Sequence, residues 1–173
     1  MRSILVVTLA AATLLSACTN PDRLGADGAA TGPDGQALAG GVVPGSASDP
    51  TSAAYFQETI GDRVLFAVDQ STLSAEGRTV LARQAQWLQQ NPTFTVVIEG
   101  HADEQGTREY NLALGARRAA AAQEFLVSQG VPATRLRTVT YGKERPIAVC
   151  STEECYQQNR RAVTVLAGST GSV

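Results

Sequence analysis

The sequence predicts a domain of the α/β class, an α+β sandwich in which helices pack on one face of a mixed, four-stranded sheet. Three observations support this fold. Segments rich in β-branched residues alternate with segments of helical periodicity in the order βαβαβ(α)β. Residues that begin or end helices lie at the boundaries between these segments. The pattern occupies residues 54–168, a length suited to one domain with a single core.

The first half of this domain is predicted to contain two strands and one helix. Residues 63–68 form an apolar run typical of a strand. Ser74 can cap the helix that follows, in which apolar residues recur at helical spacing, and Asn91 and Pro92 end it. Residues 94–99 are mostly apolar and β-branched, so we expect this second strand to be covered on both faces.

The second half is predicted to contain two helices and two further strands. Thr107 can cap a long alanine-rich helix that ends near Gly130. Strands are predicted over 136–141 and 162–166, with a short helix over 153–159 between them. The order of elements therefore favours helices on one face of the sheet.

The N-terminus has the pattern of a secreted, lipid-anchored protein. Residues 1–17 carry one early charge, an apolar stretch and small closing residues, as a signal peptide does. Residues 15–18 match a lipobox, so Cys18 is predicted to be acylated; an ordinary signal peptide cut near Ala17 is the alternative. Thr19, which is not acidic, favours export to the outer membrane, with the domain facing the periplasm. No other segment approaches the about 20 apolar residues that a membrane-spanning helix needs.

Composition separates a tether from the folded domain. Residues 19–53 contain seven Gly, seven Ala and four Pro, and are predicted to be a disordered tether. Residues 169–173 are predicted to be a flexible tail. Residues 54–168 hold twelve basic and twelve acidic side chains, and this neutral balance argues against nucleic acid as a partner.

Cysteine and arginine near the C-terminus are expected to have structural roles. In an oxidising compartment Cys150 and Cys155 are predicted to form a disulfide. A zinc site is the alternative, but it needs further ligands, and His101 has no partner at metal-binding spacing. We therefore predict no metal and no cofactor. Arg160 and Arg161 are expected to pair with acids beside the last strand.

Two opposite charges are predicted to meet at the sheet edge. Asp103 lies in the loop after the second strand, where α/β sheets tend to bind ligands. Arg118 shares an otherwise apolar helix stripe with Leu114 and Phe125, and its side chain is expected to lean back towards Asn111 and that loop. The pair could form a structural salt bridge, or it could hold a zwitterion between carboxylate and guanidinium.

Four separate segments carry a resemblance to a known family. They are EGHADEQGT at 99–107, YNLALGARRA at 110–119, YGKERP at 141–146 and NRRA at 159–162. Together they resemble the OmpA-like peptidoglycan-binding domain over about residues 60–167. The loop from Cys150 to Cys155 is not part of the general family pattern.

This resemblance implies a ligand and its contacts. In the family the pocket holds the side-chain end of meso-diaminopimelate, which carries one ammonium and one carboxylate. The resemblance places Asp103 on the ammonium and Arg118 on the carboxylate. It implies that Asn111 and Leu114 line the pocket and that Asp69 also faces the ligand.

An enzyme is the competing function class, and the residues disfavour it. Glu99, Asp103 and Glu104 could serve as the paired carboxylates of a wall hydrolase. Arg118 nearby would lower the pKa of a carboxyl group, whereas a general acid needs it raised. His101 lacks a nucleophile and an orienting partner. We therefore expect binding without catalysis.

The resemblance also implies partners in the cell envelope. They are peptidoglycan, the outer membrane through the lipid anchor, and TolB with other proteins of the Tol system, which acts in envelope integrity and cell division. The alternative is an envelope lipoprotein of the same fold that serves as an assembly or interaction scaffold outside that system.

Overall fold

The computed structural model describes residues 42–169. The predicted signal peptide, Cys18, most of the predicted tether and residues 170–173 lie outside the described residues. Within the described range, no helix is long and apolar enough to cross a membrane.

Four strands and four α-helices make up the domain. A short helix α1 (Ala53–Tyr55) continues as a π-helical turn (Phe56–Gly61), and a 3₁₀ turn (Ala133–Arg135) precedes the third strand. The remaining elements are β1 (Arg63–Leu65), α2 (Ala75–Gln90), β2 (Phe94–His101), α3 (Arg108–Ser128), β3 (Leu136–Gly142), α4 (Glu153–Asn159) and β4 (Arg161–Ser169).

The sheet is mixed, and β4 lies inside it. The strand order is β1-β4-β2-β3, with β4 antiparallel to both β1 and β2 and with β2 parallel to β3. Three strands therefore run in the same direction, so β1, β2 and β3 end at the same edge. The loops that leave β1 and β2 meet at this edge, which is where open α/β sheets tend to bind ligands. The predicted fold class, a mixed four-stranded sheet with helices, is confirmed.

The core lies between the sheet and the helices α2 and α3. On β2, Val96 and Ile98 are buried in this core, whereas Val97 and Glu99 on the opposite face are half-buried. The expectation that both faces of this strand are covered is therefore met on one face only. At the end of the core Trp87 packs between Phe56 and Phe94, with ring centroids 4.9 and 5.2 Å away.

Local capping explains where the two long helices begin. The hydroxyl of Ser74 accepts a hydrogen bond from Gly77 N at 3.0 Å, and that of Thr107 accepts one from Tyr110 N at 3.2 Å. Both predicted caps are confirmed. Gly130, with φ of +96°, follows the end of α3 in the left-handed conformation that glycine favours.

The N-terminal end of the described region differs from the prediction. Residues 42–53 were predicted as part of the disordered tether, but residues 42–52 contain hydrogen-bonded turns and Ala53 begins α1. The hydroxyl of Ser52 caps α1, and Trp87 donates its indole N–H to Pro50 O at 2.7 Å. The apolar anchor for this segment is Phe56, which is fully buried against Trp87. Tertiary contacts therefore order a stretch whose composition alone favours disorder.

The first strand is shorter than predicted, ending at Leu65 and not at Val68. Phe66 N still donates to Arg160 O, but the carbonyls of Ala67 and Gln70 accept hydrogen bonds from Arg118. The chain therefore turns around a buried guanidinium instead of continuing along β4.

Helix α3 approaches β2 so closely that only glycine fits at the crossing. An added Cβ at Gly100 would lie 1.8 Å from Gly115 O, and one at Gly115 would lie 2.4 Å from Thr140 Oγ1. This contact sets the height of α3 above the sheet. It thereby positions the first turns of α3, which contribute side chains to the cavity described next.

Candidate functional site

A cavity opens at the sheet edge where β1 and β2 end. Its volume is about 260 Å³. The lining residues come from the loop after β1, the loop after β2 and the first two turns of α3: Val68, Asp69, Asp103, Gln105, Gly106, Tyr110, Asn111 and Leu114. Four residues expected from the sequence, Asp69, Asp103, Asn111 and Leu114, therefore line one cavity.

Asp103 is held in a fixed orientation at this cavity. Its Oδ1 accepts a hydrogen bond from Gln105 N at 3.3 Å. Its Oδ2 lies 3.1 Å from Nη1 of Arg160, and both side chains are largely buried. Each oxygen has one protein partner, and carboxylate oxygens can accept more than one hydrogen bond. The carboxylate can therefore accept a further donor from the cavity.

Arg118 lies fully buried behind the cavity and is not among its lining residues. Its guanidinium donates to Gln70 O at 2.8 Å, His101 O at 2.8 Å and Ala67 O at 3.2 Å. It thus ties together the loop after β1 and the end of β2. Burial lowers the pKa of Arg118 to about 10, with the nearby charge of Asp103 opposing that shift.

The salt bridge between Asp103 and Arg118, which the sequence leaves open, is not found within residues 42–169. Asp103 pairs with Arg160, and Arg118 donates to backbone carbonyls. The Arg118 side chain points towards the N-terminus of α3, as predicted, and reaches His101 O, two residues before Asp103. Its charge is therefore close to the cavity without a carboxylate bound to it.

Asp69 and Tyr110 meet at the cavity. Asp69 adopts a left-handed conformation, with φ of +55°, which is uncommon for residues other than glycine. Its carboxylate accepts a hydrogen bond from the Tyr110 hydroxyl, and this bond raises the pKa of Tyr110. Tyr110 was not predicted as a site residue. It lies in one of the family-like segments, but its contact with Asp69, 41 residues away in sequence, has no local signal.

Asn111 and Leu114 supply opposite chemistry to the cavity. Asn111 is fully buried, and its Nδ2 donates to Gln105 O at 2.6 Å. Its Oδ1 has no hydrogen-bond partner within the described part of the chain. Leu114 adds an apolar wall one turn further along α3. The cavity therefore combines carboxylates with an apolar surface, and the buried Asn111 holds the loop at Gln105 in place.

Arg160 is the second residue that the sequence analysis did not assign to the site. It was expected to pair with acids near the last strand, and it contacts both Asp103 and Glu153. Arg161, expected to do the same, donates instead to the carbonyls of Asn159 and Arg145. The contact with Asp103 crosses 57 residues of sequence, so no spacing rule could indicate it.

His101 is buried at the end of β2, with 1% of its surface exposed. Neither ring nitrogen has a hydrogen-bond partner within residues 42–169, although Glu99 Oε2 lies 3.5 Å from Nε2. Burial, with the charges of Arg161 and Arg145, lowers the pKa of His101 to about 4. The imidazole is therefore neutral near pH 7.

The buried imidazole makes the fold sensitive to acid. The unfolded chain takes up this proton near pH 6.5, whereas the folded protein resists it down to about pH 4. Stability should therefore fall by about 2 to 3 kcal/mol as the pH drops across that window. We expect the ring protons of His101, the only histidine, to titrate by NMR with a midpoint near 4. A midpoint near 6.5 would contradict this, and His101→Gln should lose this part of the acid sensitivity.

Cys150 and Cys155 form a disulfide, as predicted, with a Cα–Cα distance of 5.8 Å. Within the described part of the chain, no cluster of His, Cys, Asp and Glu is suited to a metal ion.

Comparisons with known proteins agree on the fold. A family model described as the OmpA family matches residues 65–160. A peptidoglycan-associated lipoprotein of Mesorhizobium japonicum is 60% identical over 131 residues, 76% of this chain and 74% of that protein. One from Agrobacterium fabrum is 48% identical over 168 residues, 97% of this chain and 90% of that protein.

Solved structures give the same result. The crystal structure of the peptidoglycan-associated lipoprotein from Burkholderia pseudomallei superposes with a TM-score of 0.64 at 35% identity, covering 69% of this chain and 100% of that chain. The C-terminal domain of Helicobacter pylori MotB superposes with a TM-score of 0.59 at 21% identity, covering 63% of this chain and 86% of that chain. At that identity, the second match shows a shared fold alone.

Proposed function

This chain belongs to the OmpA family and, within it, to the peptidoglycan-associated lipoproteins, and on that premise we propose that its cavity captures meso-diaminopimelate stems of peptidoglycan. The protein is a peptidoglycan-binding module and not an enzyme. The observation that carries the proposal is the convergence of Asp69 and Asp103 in one cavity, in front of the buried charge of Arg118.

The side-chain end of diaminopimelate needs an acceptor for an ammonium and a donor for a carboxylate. We assign the ammonium to Asp103, whose oxygens have remaining acceptor capacity, and place Asp69 beside it. Leu114 offers an apolar surface for the methylene groups of the ligand.

We assign the ligand carboxylate to Arg118. Three of the five N–H groups of a guanidinium are used by the carbonyls of Ala67, Gln70 and His101, which leaves two donors. Because Arg118 is fully buried, the carboxylate reaches it only if the loop around Ala67 and Gln70 gives way. An ion pair with the ligand carboxylate would neutralise the charge of Arg118, whose hydrogen-bond partners are otherwise backbone carbonyls.

Anchoring completes the proposal. Acylation of Cys18 would fix the chain in the outer membrane, and the domain would hold that membrane to the cell wall from the periplasmic side. Several acyl chains, at about 0.8 kcal/mol for each buried CH₂, anchor a protein firmly. We further propose that the protein works with TolB and other Tol proteins in envelope integrity and cell division. A pulldown with this protein as bait tests the proposed interaction with TolB. Failure to recover TolB would contradict that interaction and would leave the proposed wall binding unaffected.

Cosedimentation of the full chain in detergent with purified sacculi tests the cavity. We expect the wild type to pellet with diaminopimelate-type sacculi and Asp103→Asn to bind about ten-fold more weakly, because a neutral amide cannot pair with an ammonium. Asp62→Asn is the matched control, since Asp62 also pairs with an arginine but lies outside the cavity. Equal binding by all three proteins would refute the assignment of Asp103.

Sacculi with lysine in place of diaminopimelate test the second charge. Lysine lacks the side-chain carboxylate, so Arg118 would lose its proposed partner. We expect about ten-fold weaker binding of the wild type to these sacculi. Equal binding to both wall types would show that Arg118 does not bind the ligand carboxylate and that its role is structural alone.

A further inference from the structure

Arg160 connects the cavity to the short helix α4. Its Nη1 lies 3.1 Å from Asp103 Oδ2, its Nε donates to Phe66 O at 3.2 Å, and its Nη2 donates to Glu153. Only 4% of its side chain is exposed, against 62% for Glu153. The buried guanidinium therefore fixes Asp103 Oδ2 through Nη1. Its second terminal nitrogen, Nη2, is held by the exposed carboxylate of Glu153.

The end of α4 is also tied to the loop that carries Asp103. The amide of Asn159, which is fully buried, donates to Glu104 Oε1 at 2.6 Å and to Ala148 O at 2.8 Å. Its Oδ1 accepts from Ile147 N at 2.9 Å and from Ala148 N at 3.2 Å. Two successive residues at the end of α4, Asn159 and Arg160, thus contact two successive residues of the site loop, Glu104 and Asp103.

The disulfide lies at the start of α4. This helix has seven residues, and a helix this short is not stable in water by itself. Within the described residues, Thr152 at its N-cap makes no capping bond with its side chain. Cys155 lies in the first turn and is bonded to Cys150, with Glu153 between them in sequence. The disulfide therefore restrains the turn that presents Glu153 to Arg160.

We propose that Arg160 is a positioning residue for the ligand at Asp103, and that α4 holds it there through Glu153 under the restraint of the Cys150–Cys155 disulfide. The inference rests on the proposed function of the cavity and adds control of its affinity. When the disulfide is intact, Asp103 is oriented towards the cavity. When it is reduced, Glu153 loses its fixed place, Arg160 is held from one side only, and binding weakens.

Reduction can be applied to the protein without mutation. A dithiol such as dithiothreitol breaks the S–S bond, each sulfur gains a hydrogen, and the reagent becomes its cyclic disulfide. We expect the reduced full chain in detergent to bind diaminopimelate-type sacculi about three-fold more weakly than the oxidised chain. Reoxidation should restore binding. The double variant Cys150→Ser with Cys155→Ser should bind like the reduced wild type and should not respond to the dithiol.

Side-chain variants test the path from α4 to Asp103. Arg160→Gln should bind about ten-fold more weakly, and Arg160→Lys should recover part of the loss because it keeps a charge beside Asp103. Glu153→Gln should match the reduced protein. The control is Glu144→Gln, since Glu144 is a surface carboxylate that also pairs with an arginine, 3.2 Å from Arg108, and does not line the cavity.

The outcomes separate this inference from the proposed function. If the oxidised wild type does not bind sacculi, the proposed function itself fails. If the wild type binds, and reduced protein, Glu153→Gln and Arg160→Lys all bind equally well, the positioning role of Arg160 is overturned. Should Arg160→Gln lose native circular dichroism, the reduction and the Glu153→Gln measurement still decide the result.

Discussion

Replacing Gly100 with alanine is expected to destabilise the domain by about 4 kcal/mol or more. The new Cβ would lie 1.8 Å from Gly115 O and 2.6 Å from Gly115 C. Both atoms belong to the backbone of α3, so no side chain can rotate to make room. Overpacking that side chains can relieve costs about 1 to 3 kcal/mol, and here the whole helix has to move instead.

Urea denaturation followed by the fluorescence of the single, buried Trp87 would measure this loss. Gly168→Ala is the matched control, because nothing lies within 4 Å of a Cβ at Gly168. We expect the control to change stability by less than about 1 kcal/mol. A Gly100→Ala protein as stable as this control would show that α3 and β2 are not in close contact.

Replacing Arg118 with methionine is expected to cost about 3 to 5 kcal/mol of folding free energy. Methionine fills part of the same volume but leaves the carbonyls of Ala67, Gln70 and His101 without their donor. The loop after β1 should then separate from the end of β2, because Arg118 joins them. Sacculus binding should fall as well, since Asp69 lies in the loop that Arg118 holds and Asp103 lies two residues after His101.

Arg117→Met is the control for this experiment, because Arg117 is the exposed neighbour on the same helix. It should change the free energy of unfolding by no more than about 0.5 kcal/mol. If both variants unfold at the same urea concentration as the wild type, the three carbonyls do not depend on Arg118. In that case the guanidinium would be free to serve the ligand alone.

Much of the fold followed from local chemistry. The caps at Ser74 and Thr107, the helical spacing of α2 and the short helix α4 were all predicted where the structure has them. Each of these signals acts over a few residues, so sequence alone could show it. The turns and helix over 42–61 were missed because their order comes from contacts of Phe56 and Pro50 with Trp87, about 30 to 40 residues away.

The residues that line the candidate site were easier to predict than the partners to which they bond. The resemblance to the family implied Asp69, Asp103, Asn111 and Leu114 as site residues, and the structure gathers all four at one cavity. The partner of Asp103 was not indicated, because Arg160 enters from the far end of the chain. Sequence spacing predicts which helix face a side chain occupies, but it does not predict which of several nearby charges it will pair with.

The order of the elements, the helix starts and the cysteine pairing could all be predicted from the amino-acid sequence without a structure. Three contacts became visible in the folded chain alone: Arg118 is buried among three carbonyls, Arg160 holds Asp103, and Tyr110 donates a hydrogen bond to Asp69. The difference follows from the distance along the chain over which each interaction acts. Capping and periodicity depend on neighbours within one or two turns, whereas the pairing of a buried charge depends on which segments the folded chain brings together and on how much water is excluded there.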